Sequence, residues 1–581
     1  MKTTNFVFIL LTSLSFLIYS CGKNDTNKFE HAGGTFVFAL SNDPATFIAR
    51  DVSDLYSAIL INQVLEGLVL LNPKTLKPEP CIAESWEISE DGLTIKFNIR
   101  EGIYFHSHEL IGDNRVVTPE DIKYSIELAC KKPQGKDPST AYSSIYKNVL
   151  VGAKRFHNGE EDEIKGIKLG ENSITLQLAQ RDVNFLDKLT SASASIVCKE
   201  LVENDKEAEL IGTGPFKYDK YLDEEENRKI ILLRNEKYYL KDNQGNQLPY
   251  LDSIVYIVEG RSLAQLEMFE DGVTHLIDKL PPSRIVNMLE GRMDDFNSTP
   301  PRLMLRRKPL LATQYYQFNL LNEAFKDVRV RKAINYAVDK EDIVQNIINN
   351  QAYGIGDAGI VPPSAFPGYD SEGVKKHGYT YNPIKARELL AEAGYPNGEG
   401  FPTITLKFNL GTVHSAVADR FASQMKRNLN INVNIDGLPF EDRIRDQINA
   451  NGDIFRTTWF ADYYSPETFL LNAYGATVPD NENEPSMVNH ARYKNEAFDV
   501  AFEAGQKSDD IMERYKHFAE AEKIMMDEAP FIILWYEETI KIAYSKVRNL
   551  HLNEMNHYYF RDVYLKEWTK EEYEAKKKKE Q

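Results

Sequence analysis

The sequence predicts an α/β protein built of several lobes, and three observations carry that reading. Short strand-forming runs alternate with long amphipathic helices along the whole chain. The 581 residues exceed what one hydrophobic core commonly spans, so two or three lobes are expected. Elements of one core are scattered along the sequence without an internal repeat, as in a chain that crosses between lobes more than once.

The elements follow in order. The run Thr35-Phe36-Val37-Phe38-Ala39-Leu40 reads as a strand, and residues 54–66 place apolar side chains at helical spacing. Thr94–Ile99 reads as a strand. In Thr118-Pro119-Glu120-Asp121 the threonine caps a helix and the proline takes its first position, where a missing N–H costs nothing. That helix runs on over Asp121–Cys130. Ser173–Leu178 and Ile230–Arg234 read as strands. Val328–Asn349 is expected as one helix with Ile334, Ala337, Val338 and Ile343 on one face. Pro383–Ala393 is a helix stopped by Gly394, and Asp509–Met526 is another that ends before Pro530.

At the N-terminus, Lys2 precedes an apolar stretch from Phe6 to Tyr19. Its length of about 14 residues falls short of the roughly 20 that a bilayer crossing requires, so residues 1–20 read as a secretory leader. Ile18-Tyr19-Ser20-Cys21 resembles a bacterial lipoprotein box, in which cleavage precedes the cysteine and its thiol is acylated, although Tyr19 is bulky for its place. The alternative is an ordinary signal peptide with an incidental cysteine. With Cys21 as the lipid attachment site, the polar residues 21–28 form a tether. Several acyl chains give an anchorage that one does not.

The formal net charge is −18, and the leader's one lysine makes the remainder more acidic still. Such a chain lacks the basic footprint of a nucleic-acid binder, and charge would not recruit it to anionic lipid. Beyond Cys21 there are Cys81, Cys130 and Cys198, which allow at most one disulfide and do not sit at metal-binding spacing. Three motifs have plain structural readings. Gly354-Ile355-Gly356-Asp357-Ala358-Gly359 matches a dinucleotide fingerprint by letter, but Val361-Pro362-Pro363 follows where a helix must open. His106-Ser107-His108 suits a strand face without a third metal ligand. Asp223-Glu224-Glu225-Glu226 is a solvated charge run. Familiar hydrolase and phosphate-loop signatures are missing, so neither catalysis, a cofactor nor a metal is expected.

A resemblance emerges from several short motifs. Gln63-Val64-Leu65-Glu66-Gly67-Leu68 is followed by Ala83-Glu84-Ser85-Trp86-Glu87-Ile88-Ser89-Glu90-Asp91-Gly92-Leu93 and by Thr118-Pro119-Glu120-Asp121. Gly212-Thr213-Gly214-Pro215-Phe216, Asp327-Val328-Arg329-Val330-Arg331, Ala391-Glu392-Ala393-Gly394-Tyr395-Pro396 and Asp527-Glu528-Ala529-Pro530 complete the series. In this order they resemble extracellular solute-binding family 5, the peptide- and nickel-binding subunits of ABC importers. The resemblance implies a periplasmic-binding-protein-like clamp. Lobe I (29–65, 190–312 and 527–581) and lobe III (313–526) enclose the ligand, and lobe II (66–189) is appended outside.

Within the family, Arg456-Thr457-Thr458-Trp459-Phe460-Ala461-Asp462-Tyr463-Tyr464-Ser465-Pro466-Glu467-Thr468-Phe469-Leu470 looks most like the oligopeptide-binding branch. That likeness assigns Asp462 to the α-ammonium of a peptide, Arg456 to the carboxylate of a short one and His414 to that of a longer one. Tyr142 is implied as a second ammonium partner, and Phe440 and Trp459 as pocket-lining aromatics. It also implies a monomer on the extracytoplasmic side of a bacterial membrane, at its periplasmic face or the cell surface, with short peptides and the permease subunits of an ABC transporter as partners. Alternatives are another solute, such as a sugar or a metal chelate, or a lipid-anchored peptide hydrolase. The chemistry of a peptide fits the assigned side chains: burying an ammonium requires a fixed anion, and a guanidinium grips a carboxylate through two parallel hydrogen bonds. Backbone pairing is blind to side chains, so many sequences fit one edge.

Overall fold

The computed structural model describes residues 31–580 except 135–137, 205–209, 224–227, 279, 282–283 and 364. The leader, Cys21, the tether and most of the acidic run at 223–226 lie outside the described residues.

One long mixed sheet organises the chain. Its path is made by β1 (Thr35–Leu40), β2 (Phe216–Leu222), β3 (Lys229–Arg234), β4 (Ser253–Val258), β5 (Leu276–Ile277), β6 (Leu303–Phe318), β7 (Ile404–Asn409), β8 (Val433–Leu438), β9 (Ile454–Phe460) and β10 (Phe531–Tyr544). Their spatial order is β8-β7-β9-β6-β10-β5-β1-β4-β3-β2. The strands at its centre, β6 and β10, run 16 and 14 residues, more than twice the usual length. They pair antiparallel and join two flanks, β8-β7-β9 on one side and β5-β1-β4-β3-β2 on the other. Their register holds from Leu303↔Tyr544 to Pro309↔Glu538 and resumes at Thr313↔Tyr536. Leu310, Leu311 and Ala312 therefore stand opposite Glu537 alone. Such a bulge bends and twists the pair, and Pro309 withholds a ladder donor there.

Separate cores sit on the flanks. Phe36, Phe38, Leu60, Ile254 and Tyr256 share one with Tyr558 and Phe560 near the C-terminus. Phe318, Ile334, Leu406, Phe421 and Met425 pack beneath β7 and β9. On the other face of these strands, Tyr315 and Phe531 meet Phe498, Phe502 and Phe518 from helices Glu496–Lys507 and Ile511–Glu528. A further core belongs to a four-stranded antiparallel sheet (Ala83–Ile88, Thr94–Ile99, Ser173–Gln177, Ile167–Leu169) covered by helix Pro119–Cys130.

The glycines of Gly212-Thr213-Gly214 owe their place to crowding. A Cβ on Gly212 would stand 2.2 Å from the Val64 carbonyl oxygen, and one on Gly214 would stand 2.7 Å from that of Gln63. Between them Thr213 donates to the Glu66 carboxyl at 2.8 Å, and the Tyr238 hydroxyl donates to it at 2.7 Å. Burial raises the Glu66 pKa. His106 completes this knot: one ring nitrogen meets Gly214 O at 2.9 Å and the other accepts from Gly212 N.

The single helix expected over Val328–Asn349 is two helices, Val328–Ala337 and Lys340–Asn346. Val338 is extended, and Asp339 caps the second helix by accepting from Asp342 N. A capping aspartate competes with helix continuation, which apolar periodicity does not register. Gly354-Ile355 forms a short strand beside β10, and Gly356 lies so close to Ile533 that a side chain there would collide with it. Cys81, Cys130 and Cys198 are buried and unpaired.

Candidate functional site

Strands β8, β7 and β9 run parallel, with Asn409↔Leu438 and Leu406↔Ile454 in register. Three of the expected residues follow their carboxyl ends. His414 lies in the first turn of helix Thr412–Leu429, after β7. Phe440 opens helix Phe440–Ile448, after β8, and is 36% exposed. Asp462 follows β9 by two residues. Ligands of open α/β sheets bind outside the carboxyl ends of parallel strands, and the topology gathers these side chains there.

Asp462 is reached by solvent, yet the protein around it displaces enough water to raise its carboxyl pKa to about 6. Solvent reaches the carboxylate while protein crowds around it. One side chain, Thr468, braces it. The Thr468 hydroxyl donates to the carboxylate at 3.4 Å and accepts from Asp462 N at 3.2 Å and from the Trp459 indole N–H at 3.3 Å. Among the described residues no lysine or arginine pairs with Asp462. The carboxylate is positioned by a neutral partner and left with acceptor capacity to spare.

Arg456 is buried, and its guanidinium donates to three neutral oxygens: Asn409 Oδ1 at 2.9 Å, Gln314 Oε1 at 2.7 Å and Thr458 Oγ1 at 2.5 Å. Burial lowers its pKa to about 10, partly opposed by the field of Glu537. Tyr56, from the helix after β1, also lies within electrostatic range, so the flanks face each other here. Asn409 ends β7, so Arg456 bonds one end of the short turn that leads to His414. Trp459 points to the opposite face of β9 from Arg456 and packs half-buried against the core of helices Glu496–Lys507 and Ile511–Glu528.

The backbone of β9 is itself part of the site. It pairs with β6 along its length, from Ile454↔Phe318 to Phe460↔Ala312, but with β7 only at Ile454 and Phe455. Ala461 N donates to Leu311 on the β6 side. Alternation then turns the N–H and C=O groups of Thr458 and Phe460 to the other edge, where no described strand meets them. An open strand edge between a braced carboxylate and a buried guanidinium can accept an extended chain and hold both its charged ends.

Tyr142 is not brought here. It is 2% exposed within the core of the four-stranded unit, stacked on His157 with ring centroids 4.0 Å apart. The turn Tyr142–Tyr146 buries Tyr142, Ile145 and Tyr146 together, so the apolar content of the segment decided its place. Sequence reasoning missed Thr468, Gln314 and Asn409, which orient the charged groups. Thr468 stood within the quoted motif, but nothing in a neutral side chain's identity signals that it braces an acid. The cluster Asp121, Cys198 and Glu200 has metal-like spacing, but Arg115 already bonds both carboxylates at 2.7 Å.

The long crossing strands, the bulge between them and the charged residues facing the gap define a periplasmic-binding-protein-like clamp. Residues 77–481 match the model of the bacterial extracellular solute-binding proteins, family 5, and the chain belongs to that family. It is 27% identical to heme-binding protein A of Haemophilus influenzae over 521 residues, covering 87% of this chain and 88% of that one. It is 26% identical to the periplasmic oligopeptide-binding protein OppA of Salmonella typhimurium, covering 85% and 83%. A solved structure of the periplasmic binding protein DppA from Helicobacter pylori, in complex with the peptide STSA, superposes with a TM-score of 0.79 at 25% identity, covering 92% of this chain and 99% of that one.

Proposed function

We propose that this protein captures short peptides between its two ligand-facing lobes and delivers them to the permease of an ABC importer. The observation that carries the reading is Asp462: a solvent-reached carboxylate crowded by protein, braced by Thr468, unpaired with any described cation, at the end of an open strand edge. A peptide's ammonium supplies the missing partner, its backbone the missing strand, and its carboxylate a partner for Arg456 or, in a longer peptide, His414. Six residues of extended strand span roughly 20 Å, and the arginine side chain reaches back over part of that, which suits a ligand of a few residues. Phe440 and Trp459 then line pockets where bridging water tolerates varied side chains.

In this reading the lobes are those expected from the sequence, and the bulge in β6 is the hinge on which the clamp closes over its ligand. The protein acts as a monomer held to the outer face of the membrane by lipid on Cys21. Native mass spectrometry of the protein purified without refolding tests the ligand class. A ladder of co-purified masses matching di- to tetrapeptides supports the reading. A single bound tetrapyrrole, sugar or metal chelate overturns it.

A further inference from the structure

Among the described residues, Arg443 is a buried cation without an anion. It lies one turn into helix Phe440–Ile448 and is 3% exposed. Its guanidinium donates to Gln447 Oε1 and lies over the Phe440 ring, 5.4 Å from the centroid. Its Nε has no partner. No described carboxylate pairs with it, and the acid beside it, Asp442, pairs with Arg445 at 2.5 Å. The charges near enough to matter make the deficit worse. Arg456 repels it, and His490, on the far side of Gln447, is held neutral by burial and by Arg443 itself. Two more buried groups in this neighbourhood lack partners, the Tyr315 hydroxyl and the Gln317 amide N–H. Every orphan here is able to donate, so what is missing is an acceptor, and the guanidinium calls for a charged one.

The geometry says where that acceptor comes from. Gln447 bonds the Thr457 hydroxyl at 2.9 Å, which fixes the helix to one face of β9, while the adjacent Arg456 points to the other. The two guanidinium groups therefore straddle the open edge of the strand. A chain added to that edge continues the pleat, and its successive side chains fall alternately on the Arg456 face and the Arg443 face.

We propose that Arg443 is a second anion receptor of the site, which selects a solute carrying an acidic side chain next to the group held by Arg456. This rests on the peptide reading above. The test is on the ligand side and uses the unmodified protein. Tripeptides and tetrapeptides are compared in pairs that differ only by Glu against Gln at each position, by calorimetry in chloride-free buffer and again in 0.5 M chloride. At one position near the carboxyl end Glu is expected to bind roughly tenfold or more tighter than Gln. In the Arg443→Gln protein that preference vanishes, and Arg443→Lys restores part of it. Equal affinity for every pair overturns the proposal. So does a Glu preference that survives Arg443→Gln. A chloride-dependent gain in ligand-free melting temperature without any Glu preference also overturns it, since a chloride counter-ion is then the missing acceptor. If no peptide binds at all, the peptide reading is what has failed, and these pairs show the two failures apart.

Discussion

At the scale of single residues, the protonation of Asp462 sets a sign that can be measured. Desolvation lifts its pKa to about 6 in the ligand-free protein, while a peptide ammonium favours the ionised form. Binding therefore expels a proton when the pH lies below that value, and affinity falls as the pH drops through 6, by up to about tenfold per unit. Titration of one peptide at pH 7 and pH 5 is expected to show a loss of about tenfold, absent for Asp462→Asn. Stability runs the other way. A carboxyl raised above its unfolded value stabilises the folded chain at low pH and loses that contribution as the pH rises through 6. Asp462→Asn is accordingly expected to leave the ligand-free melting temperature at pH 7 undiminished. A fall of several degrees would show the aspartate to be a structural residue. Asp462 was open to nomination from the sequence because a charged residue within a recognised motif carries its chemistry in its name. Arg443 was not: its meaning lies in what fails to surround it, which only the packed structure reveals.

At the scale of elements, short strands were read to within a residue, as in Thr35–Leu40 and Thr94–Ile99. In Thr94–Ile99 one-face burial imposes a period that the sequence displays, and in Thr35–Leu40 a short apolar run carries the signal. The long strands β6 and β10 were not read as such. They cross from one flank to the other, are buried over much of their length, and so lose the alternation that marks a strand. The segment after Val338 failed for a different reason, a local cap overriding a continuous apolar face. The open edge of β9 yields a test that side-chain replacement does not. Proline is tolerated in a strand where its absent N–H faces outward, and Phe460 meets that condition. Phe460→Pro is expected to preserve pairing with β6 while weakening peptide binding about two- to tenfold, the worth of one backbone hydrogen bond. Unchanged affinity in a folded variant would remove β9 from the binding surface.

For the whole molecule, the proposed closure needs contacts that join the lobes, and one set links the unit of the four-stranded sheet to the turn beside Asp462. Lys188 and Asp182 belong to the segment after the four-stranded sheet, and Glu467 to the turn that follows Asp462. Lys188 Nζ lies 2.7 Å from Asp182 and 3.3 Å from Glu467, with Lys188 and Glu467 buried and Asp182 partly so. Asn184 and Gln506 donate to the same glutamate, and Arg181 meets Asp509 at 2.7 Å. A buried pair contributes little over an apolar contact, but removing one partner leaves a stranded charge. Lys188→Met is thus expected to disfavour the closed form, lowering peptide affinity roughly tenfold or more through a faster off-rate, though the residue touches no ligand. Small-angle scattering should show its ligand-free radius of gyration larger than that of the unmodified protein, and equal values would count against the latch.

The account stands on one contact, the ammonium of a free amino terminus against the Asp462 carboxylate. Calorimetry of a single peptide with its amine free and then acetylated measures it directly. Loss of most of the affinity on acetylation, with Asp462→Asn weakened for the free amine and indifferent to acetylation, is the expected result. Equal binding of the two peptides by the unmodified protein would contradict it.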